Sequence, residues 1–395
     1  MSQVREGYKQ TKVGVIPFDW NVVKIKDIST IKSGATPLRS NELYFNNGQI
    51  NWVKTRDLNN NYIINTEEQI TEKALVETSV KLLPIDSILI AMYGGFGQIG
   101  RTGLLKIRAC SNQALSSLEL DKDISPRFIL EYLNFRRFYW KRYAASSRKD
   151  PNITKRDIEV FPISLPPLKE QEKIAKILTA WDSAISKQEE LIKVRQENKK
   201  GLMQKLLSGE IRFDGFNGEW EFTKLGELLE YEQPTKYLVS NTNYDDNYNI
   251  PVLTAGKTFI LGYTNEEDGI FYNDLPVIIF DDFTTATKYV DFPFKAKSSA
   301  MKILKAKNDT INIRLIYEMI QQISYIANDH KRYWISEYQE LEIKLPPLKE
   351  QQKIAEVLTL ADQKIELLKT ELTELQEQKK ALMQKLLTGE IRVKV

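Results

Sequence analysis

The chain has 395 residues, 42% of them hydrophobic and 28% charged, with a formal net charge of +3. That length exceeds one ordinary core, so two or more domains are expected, and the composition excludes a fibrous or low-complexity chain. One cysteine, Cys110, excludes an internal disulfide and a cysteine metal cluster, while the near-balanced charge neither requires nor excludes nucleic acid as a partner.

From the N-terminus, MSQVREGYKQ carries no apolar signal region, and no apolar run approaches membrane-spanning length. A soluble, cytoplasmic protein is expected. The first region has mixed α/β character. Strand-like runs at 87–93, 103–107 and 115–120 precede a helix-like run at 126–143, and turn signals fall at 46–48 and 59–61. Within it, GGFGQIG (94–100) satisfies G-x-G-x-x-G through Gly95, Gly97 and Gly100, directly after a strand-like run and upstream of Glu119 and Asp121. That spacing suits a dinucleotide or S-adenosylmethionine loop. Two observations oppose it. Arg101-Thr102-Gly103 restarts an extended run where a helix should begin, and the corresponding stretch of the second half, Phe280 to Thr287, contains no glycine. A tight turn or a close backbone approach is the better reading of these glycines.

A connector follows. LPPLKEQEKIAKILTAWD starts at Leu165 and LPPLKEQQKIAEVLTLAD at Leu345, an offset of 180 that persists to LMQKLLSGEIR and LMQKLLTGEIR. Each Leu-Pro-Pro stops one element and starts another. Beyond it, apolar residues recur with 4,3 spacing, at Ile174, Leu178, Trp181, Ile185, Ile192, Leu202 and Leu206 in the first copy. The second copy gives Ile354, Leu358, Ala361, Ile365, Leu368, Leu372, Leu375, Leu382 and Leu386. This is a coiled-coil period over about five heptads, and a helix of about 38 residues would span ~57 Å. Gly209 and Gly389 supply the C-terminal stops. Gln188, Arg195 and Lys199 interrupt the first seam and Lys379 the second. They read as register-setting or snorkelling positions, or else as seam covered by a third helix from another chain. Two such helices, one domain apart, can return antiparallel.

The second region repeats the plan of the first, with strand-like runs at 276–280 and 301–304, a helix-like run at 311–326 and a turn signal at 244–249. DWNVVKIKDI around Trp20 matches EWEFTKLGEL around Trp220 at an offset of 200. The only histidine, His330, reads as a surface or satisfied side chain rather than a catalytic one, since no G-x-S-x-G accompanies it.

Basic and aromatic residues interleave in EYLNFRRFYWKRYAASSRK and in DHKRYW. Such segments either pack their aromatics and solvate their bases or contact phosphates. Polar side chains suited to phosphates and base edges are Arg39, Lys54, Thr55, Arg56, Tyr93, Gln98, Arg101, Arg148 and Lys149 in the first region. Their counterparts in the second are Gln233, Lys236, Tyr237, Thr254, Lys257, Thr284, Thr285, Lys288, Lys331, Arg332 and Tyr333. The connectors match outside their seams too, at Lys169-Glu170-Gln171 with Lys349-Glu350-Gln351, and at Lys200, Met203 and Lys205 with Lys380, Met383 and Lys385. Folding alone would fix only the seam, so these are candidate docking residues for a partner bound twice.

With LPPLKEQ…IA and a long helix occurring twice, the pattern Gly14-Val15-Ile16-Pro17-Phe18-Asp19-Trp20, and GEIR at both helix ends, the chain resembles the specificity subunit of type I restriction-modification systems. The resemblance covers essentially the full length. It implies a mixed α/β (α+β) fold in pseudo-two-fold arrangement, with two target recognition domains (1–164 and 213–344) separated by two long antiparallel coiled-coil helices (165–212 and 345–395). It further implies that each recognition domain reads one half of an interrupted target in double-stranded DNA, and that the helices space the halves and dock two modification subunits. Those subunits would carry S-adenosylmethionine and methylate adenine N6, and restriction subunits would use ATP with Mg. No cofactor is expected in this chain, which has neither an N-P-P-Y-like tetrad nor a G-x-x-x-x-G-K-[ST] loop. The alternatives are a coiled-coil adaptor that reads no DNA and an S-adenosylmethionine or nucleotide enzyme built on 94–100.

Overall fold

The computed structural model describes residues 4–144, 152–254, 256, 258–325 and 332–395. By packing, the chain divides into two compact units, Met1–Gln188 with Glu371–Val395, and Glu189–Thr370.

In the first unit, alternating and fully apolar runs build a five-stranded sheet. Its order is Ser29–Ser33, Leu115–Leu120, Ile88–Ala91, Thr102–Leu105, Tyr62–Ile63, antiparallel except for the last pair. Ala109–Ser111, Ile50–Val53 and Glu68–Ile70 form a separate three-stranded sheet. The helix Pro126–Phe135 covers the large sheet. Ser125 accepts from the Phe128 amide and Pro126 opens the first turn, a strong start signal. The helix is shorter than the 126–143 run suggested, because from Arg137 the chain tightens into a 3-10 segment, Arg137–Arg142. There Trp140 stacks on Phe161 at 4.1 Å between ring centres.

The second unit repeats this plan with one strand fewer in its larger sheet. Leu229–Glu232, Met301–Ala306, Val277–Asp281 and Thr287–Val290 form a four-stranded antiparallel sheet. Ile260–Thr264, Ile250–Leu253 and Lys295–Ala296 form a three-stranded one. The helix Ile313–Ile320, capped by Asn312, takes the place of Pro126–Phe135. It too is shorter than its sequence run.

The connectors are continuous helices, Leu168–Ser208 and Leu348–Leu387, of 41 and 40 residues. In each unit the start of one lies beside the end of the other, hence antiparallel. Ile174, Ala175 and Leu178 share a core with Leu386 and Leu387 in the first unit, and Ile354, Ala355 and Leu358 share one with Leu206 and Leu207 in the second. The seam lysines have partners on the facing helix. Lys379 Nζ lies 2.6 Å from Asp182 and Lys199 Nζ 2.7 Å from Asp362. Gln188 donates to Glu371 at 3.0 Å. Arg195 departs from the expected seam and is exposed.

Both helices end on a left-handed glycine, with φ of +74° at Gly209 and at Gly389. The amides of Ile211 and Ile391 reach back to the carbonyls of Lys205 and Lys385 at 3.2 and 3.1 Å, as a Schellman closure requires. A side chain at either glycine meets the same backbone penalty, about 1–2 kcal/mol. At Gly389 a Cβ would also sit 2.4 Å from Pro17 Cδ, whereas at Gly209 its nearest neighbour is Trp220 at 3.7 Å. Gly389→Ala is therefore expected to cost about 1–3 kcal/mol more than Gly209→Ala, a difference readable by chemical denaturation of the two variants.

Candidate nucleic-acid interface

The 94–100 loop joins two antiparallel neighbours, Ile88–Ala91 and Thr102–Leu105, without a helix after it. A cofactor loop of the dinucleotide type needs a helix N-terminus at this point. The geometry is a turn, as the glycine argument expects. At Gly100, with φ +71°, a Cβ would meet Trp140 Cδ1 at 2.2 Å, so the third glycine of the pattern is demanded by close packing. Buried Cys110 offers no nucleophile, because desolvation pushes its thiol up to about 12. Among the described residues no cluster of histidine, cysteine or carboxylate side chains could hold a metal.

The first unit brings several predicted residues together. Strand Ile50–Val53 runs into the 3-10 turn Thr55–Asp57, which presents exposed Arg56 and half-buried Thr55. Lys54 bonds Glu67 and Glu68 at 2.8 and 2.6 Å, and Arg39 reaches Glu68 at 2.6 Å while lying over the Phe45 and Trp52 rings. Arg39, and after it Lys54, hold the Glu68 carboxyl below its ordinary range. The 94–100 loop joins this edge through Arg101, whose guanidinium donates to the Leu58 carbonyl and, at 3.0 Å, to Gln98. Tyr93 is 44% exposed.

In the second unit the corresponding loop, Asp281 to Ala286, is shaped without glycine. The Asp281 carboxylate accepts from the amides of Phe283 and Thr284, and Thr285 takes φ +59°. Thr284 and Lys288 are exposed and Thr285 is half-buried. The turn Pro234–Tyr237 presents Lys236, 80% exposed, beside half-buried Gln233. Tyr237 is turned inward, with its hydroxyl on Glu232 at 2.9 Å and its ring on Phe271. The Thr254 hydroxyl donates to the Thr258 carbonyl, and Arg332 is exposed. Arg148, Lys149, Lys257, Lys331 and His330 lie outside the described residues.

Five expectations need correction. Tyr333 is 1% exposed and packs edge-on against Tyr325, so it is a core residue and not a contact. Glu170, Gln171, Glu350 and Gln351 are 0–2% exposed and are spent inside the chain. Glu170 accepts from Trp20 Nε1 at 3.1 Å and from Arg392 at 2.7 and 2.8 Å, and Glu350 accepts from Trp220 Nε1 at 3.1 Å and from Arg212 at 2.9 and 2.7 Å. Gln171 and Gln351 bond the amides of the helix-capping residues Ser125 and Asn312, each at 2.9 Å. Matching residues that seemed to await a partner instead tie the sheets and helix of each unit to the connectors. The signal was present in the paired tryptophans and in the arginine that ends each GEIR. Lys169, Lys200, Lys205, Lys349, Lys380 and Lys385 do face solvent, while Met203 and Met383 are half-buried against the cores.

The aromatic and basic stretch after Pro126–Phe135 divides by side. Trp140 is buried, whereas Phe138 is 79% exposed and Lys141 lies over Phe138 and Phe96. Phe96, Phe138, Trp140 and Lys141 line a cavity of about 650 Å³ together with Asn59, Asn60 and Asn61. The exposed aromatics Phe96 and Phe138 were not singled out by sequence, because nothing in the pattern separates them from buried neighbours.

Residues 17–196 and 217–377 match the family described as type I restriction modification DNA specificity domain. The chain belongs to this family. Its role as a type I specificity subunit is to direct DNA sequence recognition, and it is a non-catalytic subunit. Over 137 residues it is 54% identical to the EcoR124I/EcoR124II specificity subunit of Escherichia coli, a match that spans 34% of this chain and 33% of that protein. Over 427 residues it is 28% identical to the putative MjaX specificity subunit of Methanocaldococcus jannaschii, spanning 98% of this chain and 97% of the relative. The fold is that of the type I S subunit from M. genitalium, with a TM-score of 0.62 at 18% identity over 97% of both chains.

Proposed function

We propose that this specificity subunit reads a bipartite, interrupted DNA target, one half with each recognition domain. The paired helices set the gap between the halves and dock two modification subunits, which hold S-adenosylmethionine and methylate adenine N6. Where restriction subunits join the complex, they supply ATP- and Mg-dependent cleavage. The observation that carries this reading is the repetition of one tether in both units, Trp20–Glu170–Arg392 and Trp220–Glu350–Arg212, beneath recognition edges that differ. Alike roots and unlike tips suit two unlike half-sites read by one scaffold. The contacting residues are Arg39, Arg56, Tyr93 and Gln98 in the first domain and Lys236, Thr284, Lys288 and Arg332 in the second, with Arg and Lys to phosphate or guanine. The modification subunits dock on the exposed lysines of the connectors.

Exchanging residues 213–344 for those of a different specificity subunit is expected to change one half-site and leave the other and the gap intact. Methylation mapping of cells carrying the exchanged chain reads this directly. A change in both halves would sink the modular reading.

A further inference from the structure

Below each recognition domain lies a second charged assembly, distinct from the Trp–Glu–Arg tether. In the first unit, the helix Pro126–Phe135 carries Arg127 and Glu131 one turn apart, both buried. Arg127 bonds Glu131 and, at 2.5 Å, Asp182 on the first connector. Asp182 in turn bonds Lys379 on the second connector at 2.6 Å, and Lys379 lies 3.8 Å from Glu131. The second unit holds the same quartet. Arg314 bonds Glu318 and, at 2.5 Å, Asp362, while Lys199 lies 2.7 Å from Asp362 and 3.8 Å from Glu318.

The roles of the connectors are exchanged between the two copies, so each connector gives an aspartate to one unit and a lysine to the other. Each arginine also touches the edge strand of its sheet. Arg127 lies 4.6 Å over the Tyr62 ring and bonds Asn61, and Arg314 lies 4.9 Å over the Tyr289 ring. One quartet thus joins sheet edge, recognition helix and both connectors. Burial holds the Glu131 carboxyl above the usual carboxylate range although Arg127 and Lys379 pull it down. Four charges taken from water cost more than an apolar contact of the same size, and what they offer in return is direction. The pairs that cross from the helix to the connectors, Arg127 to Asp182 and Glu131 to Lys379 with their counterparts Arg314 to Asp362 and Glu318 to Lys199, are lost if that helix rolls or slides by an ångström or two.

We propose that the two quartets are positioning joints, each fixing the angle at which its recognition domain stands on the connector pair and thereby which gap between half-sites is accepted. This rests on the bipartite reading above. None of the eight residues need touch DNA.

The test uses the full-length chain together with its modification subunit, carrying Asp182→Asn or Asp362→Asn. The substrate is a target library that keeps both half-sites and varies the gap by one or two base pairs, with methylation read by sequencing. The wild-type chain is expected to methylate one gap. Each variant should spread methylation to neighbouring gaps with half-site sequences unchanged, while Lys379→Arg and Lys199→Arg, which keep the charge, retain the single gap. Glu131→Gln, nearly isosteric, covers the case in which an aspartate variant fails to fold. If the folded variants melt earlier but keep the wild-type gap, the quartets are braces and the proposal is overturned. If the wild-type chain confers no gap-dependent methylation, the bipartite reading itself falls.

Discussion

Replacing Glu350 with alanine is expected to destabilise the second unit by about 2–4 kcal/mol, among the larger effects of any single substitution in the chain. Glu350 is fully buried in the first turn of its helix, and its carboxylate serves three donors, Arg212 Nε, Arg212 Nη2 and Trp220 Nε1. Alanine leaves the Trp220 N–H without an acceptor inside the core and the guanidinium without its counter-charge. Because the chain has two units, a single melting midpoint would blur the effect. Hydrogen exchange in the paired strands Glu221–Lys224 and Glu342–Leu345 isolates it. Protection there should fall in Glu350→Ala while Pro162–Leu165 and Asn21–Lys24 keep theirs. Glu170→Ala should act the same way on the first unit but less strongly, since Arg392 is 40% exposed against 28% for Arg212 and its ion pair is better screened.

Asp282→Met is expected to cost about 3–5 kcal/mol, and adding Lys302→Ser should recover a large part of that loss. Lys302 is 1% exposed in the strand Met301–Ala306, with its ammonium 3.4 Å from Asp282 and over the Tyr231 ring. Removing the aspartate strands a buried positive charge. The first unit shows what a neutral solution looks like. Strand registers place Ser116 where Lys302 stands and Met92 where Asp282 stands, and there the Ser116 hydroxyl simply meets Met92 Sδ at 3.1 Å. The backbone bond from the next segment is kept in both, Ile153 N to Met92 O and Tyr333 N to Asp282 O. Recovery should stop short of complete, because the Trp334 amide loses its bond to the Asp282 carboxylate. Denaturant titration of the two single variants and the double gives the coupling. Additive losses would show that Lys302 finds compensation elsewhere.

Much of the architecture was legible because the chain is its own comparison. The 180-residue offset exposed both connectors, their Leu-Pro-Pro starts and their glycine stops, and the strand runs of the two recognition domains fell within a residue or two of the observed strands. What identity between copies cannot reveal is the direction in which a matched side chain points. Lys169-Glu170-Gln171 is alike in both copies for two reasons at once: the lysine faces solvent, while the glutamate and glutamine turn inward to a tryptophan and a helix cap 150 and 46 residues away. Such partners are remote in sequence, so no local period announces them. The same limit hid the Arg127–Glu131 pair, whose i,i+4 spacing reads as an ordinary solvated helix pair until the sheet and both connectors close over it. Tyr333 follows an exposed arginine, Arg332, in the sequence, yet its own side chain turns into the core.

On the proposed function, this chain directs methylation to a target in two separated halves. Single-molecule methylation sequencing of cells with the chain and its modification subunit, against cells lacking only the chain, tests it most directly. Adenine methylation is expected at two unlike half-sites a fixed distance apart, lost entirely when the chain is removed. Methylation that persists without the chain, or that falls on one uninterrupted sequence, would contradict it.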